Sequence, residues 1–249
     1  MVIKQAETPG IIFEDNHIVV AVKMPGILSQ SDGSGTPDML TLLRQDIKIR
    51  HNKPGDVFLG LLHRLDQPVG GLMVFARTSK AAARLSQQIR DHQFAKLYLA
   101  VVRGVPAPRQ GILLDDLSQD AMTRHVRVVK DGSGQSASLD YQVISQSPDD
   151  GWSLVAIRLH TGRGHQIRVQ LASRGWPIIN DFRYGPVTRN KDHADIALFA
   201  AGLGFRHPIS REWLQFSARP PATAPWLAFD PADLDNVFNF LPEPVSGAR

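Results

Sequence analysis

The apolar residues of this chain come in short runs. Ile18–Val22, Val57–Leu62, Leu72–Ala76, Leu97–Val102 and Ile196–Phe205 each supply a few core-type residues before a turn signal or a charge intervenes. Runs of that length suit buried strands, and none approaches the ~20 apolar residues of a membrane span. Val126–Val129, Leu139–Ile144, Trp152–Leu159 and Trp213–Ser217 read as further strands, with a turn at Asp131-Gly132-Ser133-Gly134. Helical periodicity is rarer. Thr36-Pro37-Asp38 reads as an N-cap with proline at the first helical position, and Met39, Leu42, Leu43 and Ile47 follow at helical spacing. Ser79 is expected to cap a helix running to about His92, with Ala82, Leu85 and Ile89 on one face. Gln166–Ser173 reads as a short helix closed by Gly175, and Asp230-Pro231 opens a C-terminal one carrying Leu234, Val237 and Phe238. Pro106–Asp120 reads as irregular. Strands outnumber helices and several are joined by short turns, which predicts an α+β fold on a large, mixed, mostly antiparallel sheet with flanking helices and loops. No linker divides the 249 residues, so one domain is expected over residues 11–240, with short tails at 1–10 and 241–249.

Composition narrows the chemistry. The chain has no cysteine, which excludes a disulfide framework, a thiolate nucleophile and a cysteine-ligated zinc, and fits a cytoplasmic protein. The first residues lack the charged-then-apolar pattern of a signal peptide. The net charge of +4 is modest, but it is unevenly spread. Between Arg158 and Lys191 stand Arg158, Arg163, Arg168, Arg174, Arg183, Arg189 and Lys191, opposed only by Asp181, which leaves that stretch at +6. Such a stretch attracts polyanions or forms a solvated face.

Four segments concentrate groups able to do chemistry. In His63-Arg64-Leu65-Asp66 a carboxylate sits between two apolar runs, where it is either placed for chemistry or a turn former. Lys96-x-Tyr98-x-Ala100 puts three side chains on one face of a strand. Thr161-Gly162-Arg163-Gly164-His165-Gln166-Ile167-Arg168-Val169 joins a strand to a helix start with two arginines nearby, a setting for phosphate or carboxylate. Its glycines match no dinucleotide or phosphate-loop fingerprint, and His160 and His165 are not spaced as a zincin pair, so neither cofactor nor metal is expected. Gly175-x-Pro177-Ile178-x-x-Asp181-x-x-Tyr184-Gly185 mixes aromatics with arginine.

Taken in order, with Leu203-Gly204-Phe205-Arg206-His207-Pro208 as a late landmark, these motifs resemble the RluA-type RNA pseudouridine synthases from about Ile12 to Pro220. The resemblance implies a single domain of that fold. It implies an isomerase that breaks the N-glycosidic bond of a uridine in rRNA or tRNA, turns the base and joins C5 to C1′. No redox cofactor is needed for an isomerisation. Asp66 matches the essential aspartate, Arg168 the arginine that pairs with it, and Tyr98 the active-site tyrosine, which stacks on the base or takes a proton from C2′. Arg64 is expected to enter the space left by a flipped base. His63, Arg163, His165 and Gln166 are expected to bind RNA or support the loop that does. The chain departs from the family's pattern at Pro68-Val69-Gly70-Gly71, where Thr-Ser-Gly is usual, at Gln170 for a histidine and at Asn180 for a glycine. A start near Ile11 leaves no room for the S4-like domain of many relatives, so RNA affinity is expected from the catalytic domain of a monomer. The departures motivate a second reading, a catalytically silent RNA-binding or ribosome-assembly factor on the same fold.

Overall fold

A computed structural model describes residues 10–186 and 195–240. Arg189 and Lys191 of the basic stretch, residues 1–9 and the tail at 241–249 lie outside the described residues. In chain order the elements are β1 (Gly10–Glu14), β2 (Ile18–Lys23), α1 (Met39–Arg50), β3 (Gly60–Leu61), β4 (Gly70–Ala76), α2 (Ser79–Arg90), β5 (Ala95–Arg103), β6 (Gln110–Gln119), β7 (Val126–Val129), β8 (Gln135–Gln146), β9 (Trp152–Leu159), α3 (Gln166–Ala172), β10 (Leu198–Arg206), β11 (Trp213–Ser217) and α4 (Pro231–Asn236). The strands form one sheet ordered β1-β2-β4-β10-β5-β9-β8-β6-β7, with β11 on β10 and β3 on β4. Among the described strands β4 and β10 are parallel and every other strand pair is antiparallel.

The middle of the sheet is covered on both faces, and that is why its strands read as unbroken apolar runs. Along β2, Ile18 and Val20 face one core with Leu72, Val74, Leu85 of α2, Leu203 and Phe205. The intervening Val19 and Ala21 face the other, with Met73, Phe75 and the buried Met39, Leu43 and Ile47 of α1. Alternation along a strand delivers successive side chains to opposite faces.

Several boundaries differ from the sequence expectation for local reasons. Asp38, not Thr36, caps α1, its carboxylate accepting the Thr41 N–H at 3.1 Å. Pro37 and Asp38 are held outside the helix by pairing with Leu28, through Leu28 N–H to Pro37 carbonyl and Met39 N–H to Leu28 carbonyl. Thr78 caps α2 by accepting from Ala81 N–H, one residue before the expected Ser79. The Val57–Leu62 run keeps only two paired residues, because β4 offers β3 only Phe75 and Ala76 while β10 takes Gly70 and Gly71. The segment read as irregular contains β6. Its Ile112 and Leu114 are exposed while Leu113 and Leu117 are buried, a pattern blurred by Asp115 and Asp116, and pairing with the long β8 decides the conformation.

Within the Pro68-Val69-Gly70-Gly71 segment, the last glycine has a packing cause. Gly71 has φ +127°, and a Cβ there would stand 2.4 Å from Ala200 N and from Ala200 O of β10. The parallel β4–β10 contact therefore requires glycine. Gly71→Ala is expected to cost about 3 kcal/mol or more in urea unfolding, whereas Gly104→Ala, at φ +76° with no neighbour within 4 Å, should cost about 1 kcal/mol. Equal costs would contradict close approach as the reason for Gly71.

Candidate active site

Sheet register gathers residues far apart in sequence. Gly71 pairs with Ala200, Ala200 with Tyr98, and Tyr98 with Ile157, so four strands align across β4, β10, β5 and β9. The Asp66 loop enters β4 just before this row, Tyr98 lies in it, and the chain leaving β9 turns into α3, which carries Arg168. These elements meet at a cleft of about 1330 Å³, with Asp66 and Tyr98 on its wall and a further recess lined by Asp66, Tyr98, Arg168 and Leu198.

Arg168 holds two carboxylates at once. Its Nε and Nη2 donate to Oδ2 and Oδ1 of Asp181, both at 2.8 Å, and its Nη1 donates to Asp66 Oδ2 at 2.9 Å. The side chains of Arg168 and Asp181 are 7% and 1% exposed, and that of Asp66 is 29% exposed. The pair behind is therefore desolvated while the carboxylate in front faces the cleft. Burial opposes the Arg168 charge, but bonds and charges of Asp181 and Asp66 outweigh it and raise its proton affinity. Asp181 also accepts N–H bonds from Arg183 and Tyr184 at 3.1 and 3.2 Å, and the guanidinium lies 5.2 Å from the centre of the Tyr184 ring.

The loop around Asp66 is fixed on either side. Ser29 Oγ accepts from Leu65 N–H at 3.0 Å and donates to Leu65 O at 2.9 Å. Lys23 is fully buried, and its ammonium donates to Gln67 O at 2.9 Å and Ile27 O at 2.6 Å. Burial lowers the Lys23 amine to about 8, against the pull of Asp66 and Asp195. Gly26 N–H adds a bond to Gln67 O at 2.9 Å. Sequence reasoning missed Lys23 and Ser29; the legible signal was a lysine ending an apolar strand just before Pro25-Gly26. Asp181 was visible as the one acid in the basic stretch.

Tyr98 packs beside Asp66. Burial, and then the negative charge of Asp66, push its phenol well above the ordinary value. His165 reaches the same carboxylate, with Nε2 3.7 Å from Asp66 Oδ2. It begins α3 in the left-handed region at φ +54°. Its Nδ1 lies 2.6 Å from Tyr184 Oη, which accepts the Val126 N–H at 3.1 Å. The hydroxyl and Nδ1 thus share one hydrogen bond, its direction set by the imidazole tautomer. Burial holds His165 below the ordinary histidine value.

The remaining expected RNA contacts divide. Arg64 is exposed and lines the cleft, as does Arg163, whose Nε donates to Ser136 O at 3.0 Å. His63 accepts the Val74 N–H at 3.2 Å, and burial with the Lys96 charge drives it down to about 3, so it is a neutral brace. Gln166 is buried, accepts from Thr161 Oγ1 and Arg163 N–H, and donates to Ser138 O. It ties down the turn at the edge of the recess that it lines. Within the basic stretch, Arg158, Arg168 and Arg174 are paired with Asp140, Asp66 and Asp181, and Asp115, so the charge left for a polyanion is smaller than the sequence count. The other departures are structural. Gln170 is buried and donates to Asp115 at 2.7 Å, and Asn180 holds φ +62°, a conformation that glycine and asparagine share.

Comparison with known proteins agrees with this geometry. Residues 17–173 match the family model described as RNA pseudouridylate synthase. The chain is 34% identical over 222 residues to ribosomal large subunit pseudouridine synthase D of Zymomonas mobilis, covering 85% of this chain and 69% of that one. It is 32% identical over 212 residues to dual-specificity RNA pseudouridine synthase RluA of Pasteurella multocida, covering 85% and 93%. The solved structure of human RNA pseudouridylate synthase domain containing 1 shares the fold, with a TM-score of 0.73 at 20% identity, covering 98% of this chain and all of that one. With the aspartate loop, the tyrosine strand and the arginine helix all inside or beside the matched span, the chain belongs to the RNA pseudouridylate synthase family.

Proposed function

We propose that this RNA pseudouridine synthase acts on uridines of structured rRNA or tRNA, with Asp66 as the catalytic carboxylate. The observation that carries the reading is Asp66 itself, partly exposed at a cation-lined cleft and held from behind by Arg168. The carboxylate faces the ribose C1′ of an extruded uridine. It attacks that carbon or stabilises the positive charge that develops as the C1′–N1 bond breaks. The base then turns, the C5–C1′ bond forms, C5 loses its proton and N1 gains one. Atoms balance without an oxidant or a reductant. Arg168 keeps the carboxylate aimed by a charge-assisted bond, and Asp181 fixes Arg168. Tyr98, held protonated, stacks on the base, and Arg64 enters the space the base vacates. Arg163 contacts the RNA backbone, and His165, Gln166 and His63 brace the turn and loop. The names of the relatives, one for the large ribosomal subunit and one for dual specificity, support rRNA and tRNA as substrates.

Asp66→Asn and Asp66→Ala are expected to lower tritium release from RNA carrying 5-tritiated uridine by roughly a thousandfold or more, with melting temperatures near that of the parent. The substrate is total RNA from cells lacking the gene. Full activity in either variant would refute the assignment.

The phenols give a pH test. All three tyrosines, Tyr98, Tyr141 and Tyr184, are raised above the ordinary value of 10.0, each first by burial. A raised folded value means that the native chain keeps protons the unfolded chain releases, so this stabilisation is full below pH 10 and is lost as the pH rises past it. Ultraviolet difference titration at pH 10 should show well under one tyrosinate per native chain, against about one and a half after unfolding. Equal values would show that Tyr98 is not held protonated.

A further inference from the structure

Lys96 stands on β5 two residues before Tyr98, so both side chains leave the same face, about 7 Å apart along the strand. It lines the cleft. Its amine lies 3.7 Å from where a Cβ on Gly162 would stand, and near enough to His63 to suppress charge on that imidazole. Most of the side chain is withdrawn from water, and among the described residues neither an opposite charge nor a hydrogen bond offsets the burial that lowers its proton affinity. The contrast is Lys23, fully buried where Lys96 is half-buried, whose ammonium is satisfied by the carbonyls of Met24, Ile27 and Gln67. An unpartnered buried ammonium is destabilising. At the mouth of a site it makes sense as half of a pair whose other half arrives with the ligand.

The surroundings identify that half as an anion. Among the described residues Lys96, Arg64, Arg90, Arg124, Arg163 and Arg183 line the cleft against Asp32 and Asp66. A uracil carbonyl is neutral and would not replace the missing charge. A phosphodiester would, and every uridine in RNA brings one whatever its neighbouring bases are. Gly162 has no side chain, so the turn comes close to the amine without covering it.

We propose that Lys96, with the Thr161–Gly164 turn beside it, forms a phosphate subsite for the phosphodiester adjoining the target uridine. The placement rests on the reading of Asp66 and Tyr98 given above, but the subsite has readouts of its own. In protein labelled at the lysine side chains, octauridylate is expected to shift the Lys96 amine resonance and move its titration to higher pH, and uridine nucleoside is expected to do neither. Lys96→Met should weaken octauridylate binding roughly ten- to a hundredfold at low salt and reduce the salt exponent of binding by about one. Its melting temperature should not fall, because an unpaired charge is removed. Lys96→Arg should retain most of the affinity. A resonance that answers to uridine as strongly as to octauridylate would assign Lys96 to the base and overturn the phosphate subsite. No response to either, or an unchanged salt exponent in Lys96→Met, would overturn it as well. If Lys96 answers to octauridylate in a protein that releases no tritium from uridine-labelled RNA, the catalytic reading fails and the subsite stands.

Discussion

Arg168 is a single guanidinium shared by two carboxylates, and the geometry of the site depends on how its donors are divided. Asp181 takes Nε and Nη2 in a fork that fits the planar group, leaving Nη1 for Asp66. The fork fixes the plane of the guanidinium, and the plane fixes where Nη1 points. Three charges together leave one negative, displayed by the exposed member. Had Arg168 faced Asp66 alone, a long side chain would have had to hold one geometry with no second anchor. Breaking a buried pair by removing one partner costs about 3–5 kcal/mol, so the arrangement is fixed by the fold and is not one rotamer among several.

Around that interaction, backbone structure does most of the placing. The row from Gly71 through Ala200 and Tyr98 to Ile157 sets the spacing between the aspartate loop and the tyrosine. The parallel contact of β4 with β10 is the tightest point of the row, which is why two glycines open β4. Ser29 and Lys23 then fasten the residues on either side of Asp66, so the carboxylate stands on a loop with little freedom. On the far wall, Gln166 and the His165–Tyr184 pair stiffen the turn into α3. The cleft is thus walled by braced turns with arginines on their outer sides, a form suited to an RNA whose base must be drawn out and held.

Much of this was legible in the sequence, and the rest was hidden for physical reasons. Buried strands such as β4 and β9 were readable because core contact enforces their composition. β6 was not, since its conformation comes from pairing with β8 while its own residues place apolar groups on both faces. The meeting of Asp66, Tyr98 and Arg168 at one recess was visible through ordered motifs. The roles of Lys23 and Ser29 were not, because a hydrogen bond to a distant backbone group leaves no local pattern, and Asp181 was visible only as the one acid in the basic stretch. The hydrogen bonds by which His63 and Gln166 brace the loop and the turn were not legible, although both were singled out beside the motifs. The net basic stretch was overcounted because sequence charge ignores pairing across the sheet, as Arg158 with Asp140 shows.

The most direct test of Arg168 as the link between Asp181 and Asp66 is a double-mutant cycle on the chemical step. Single-turnover rates of pseudouridine formation would be measured for the parent, Arg168→Met, Asp181→Asn and the double variant. If Asp181 acts through Arg168, the double variant will be no slower than Arg168→Met alone. Losses that multiply independently would contradict the shared guanidinium as the device that aims Asp66.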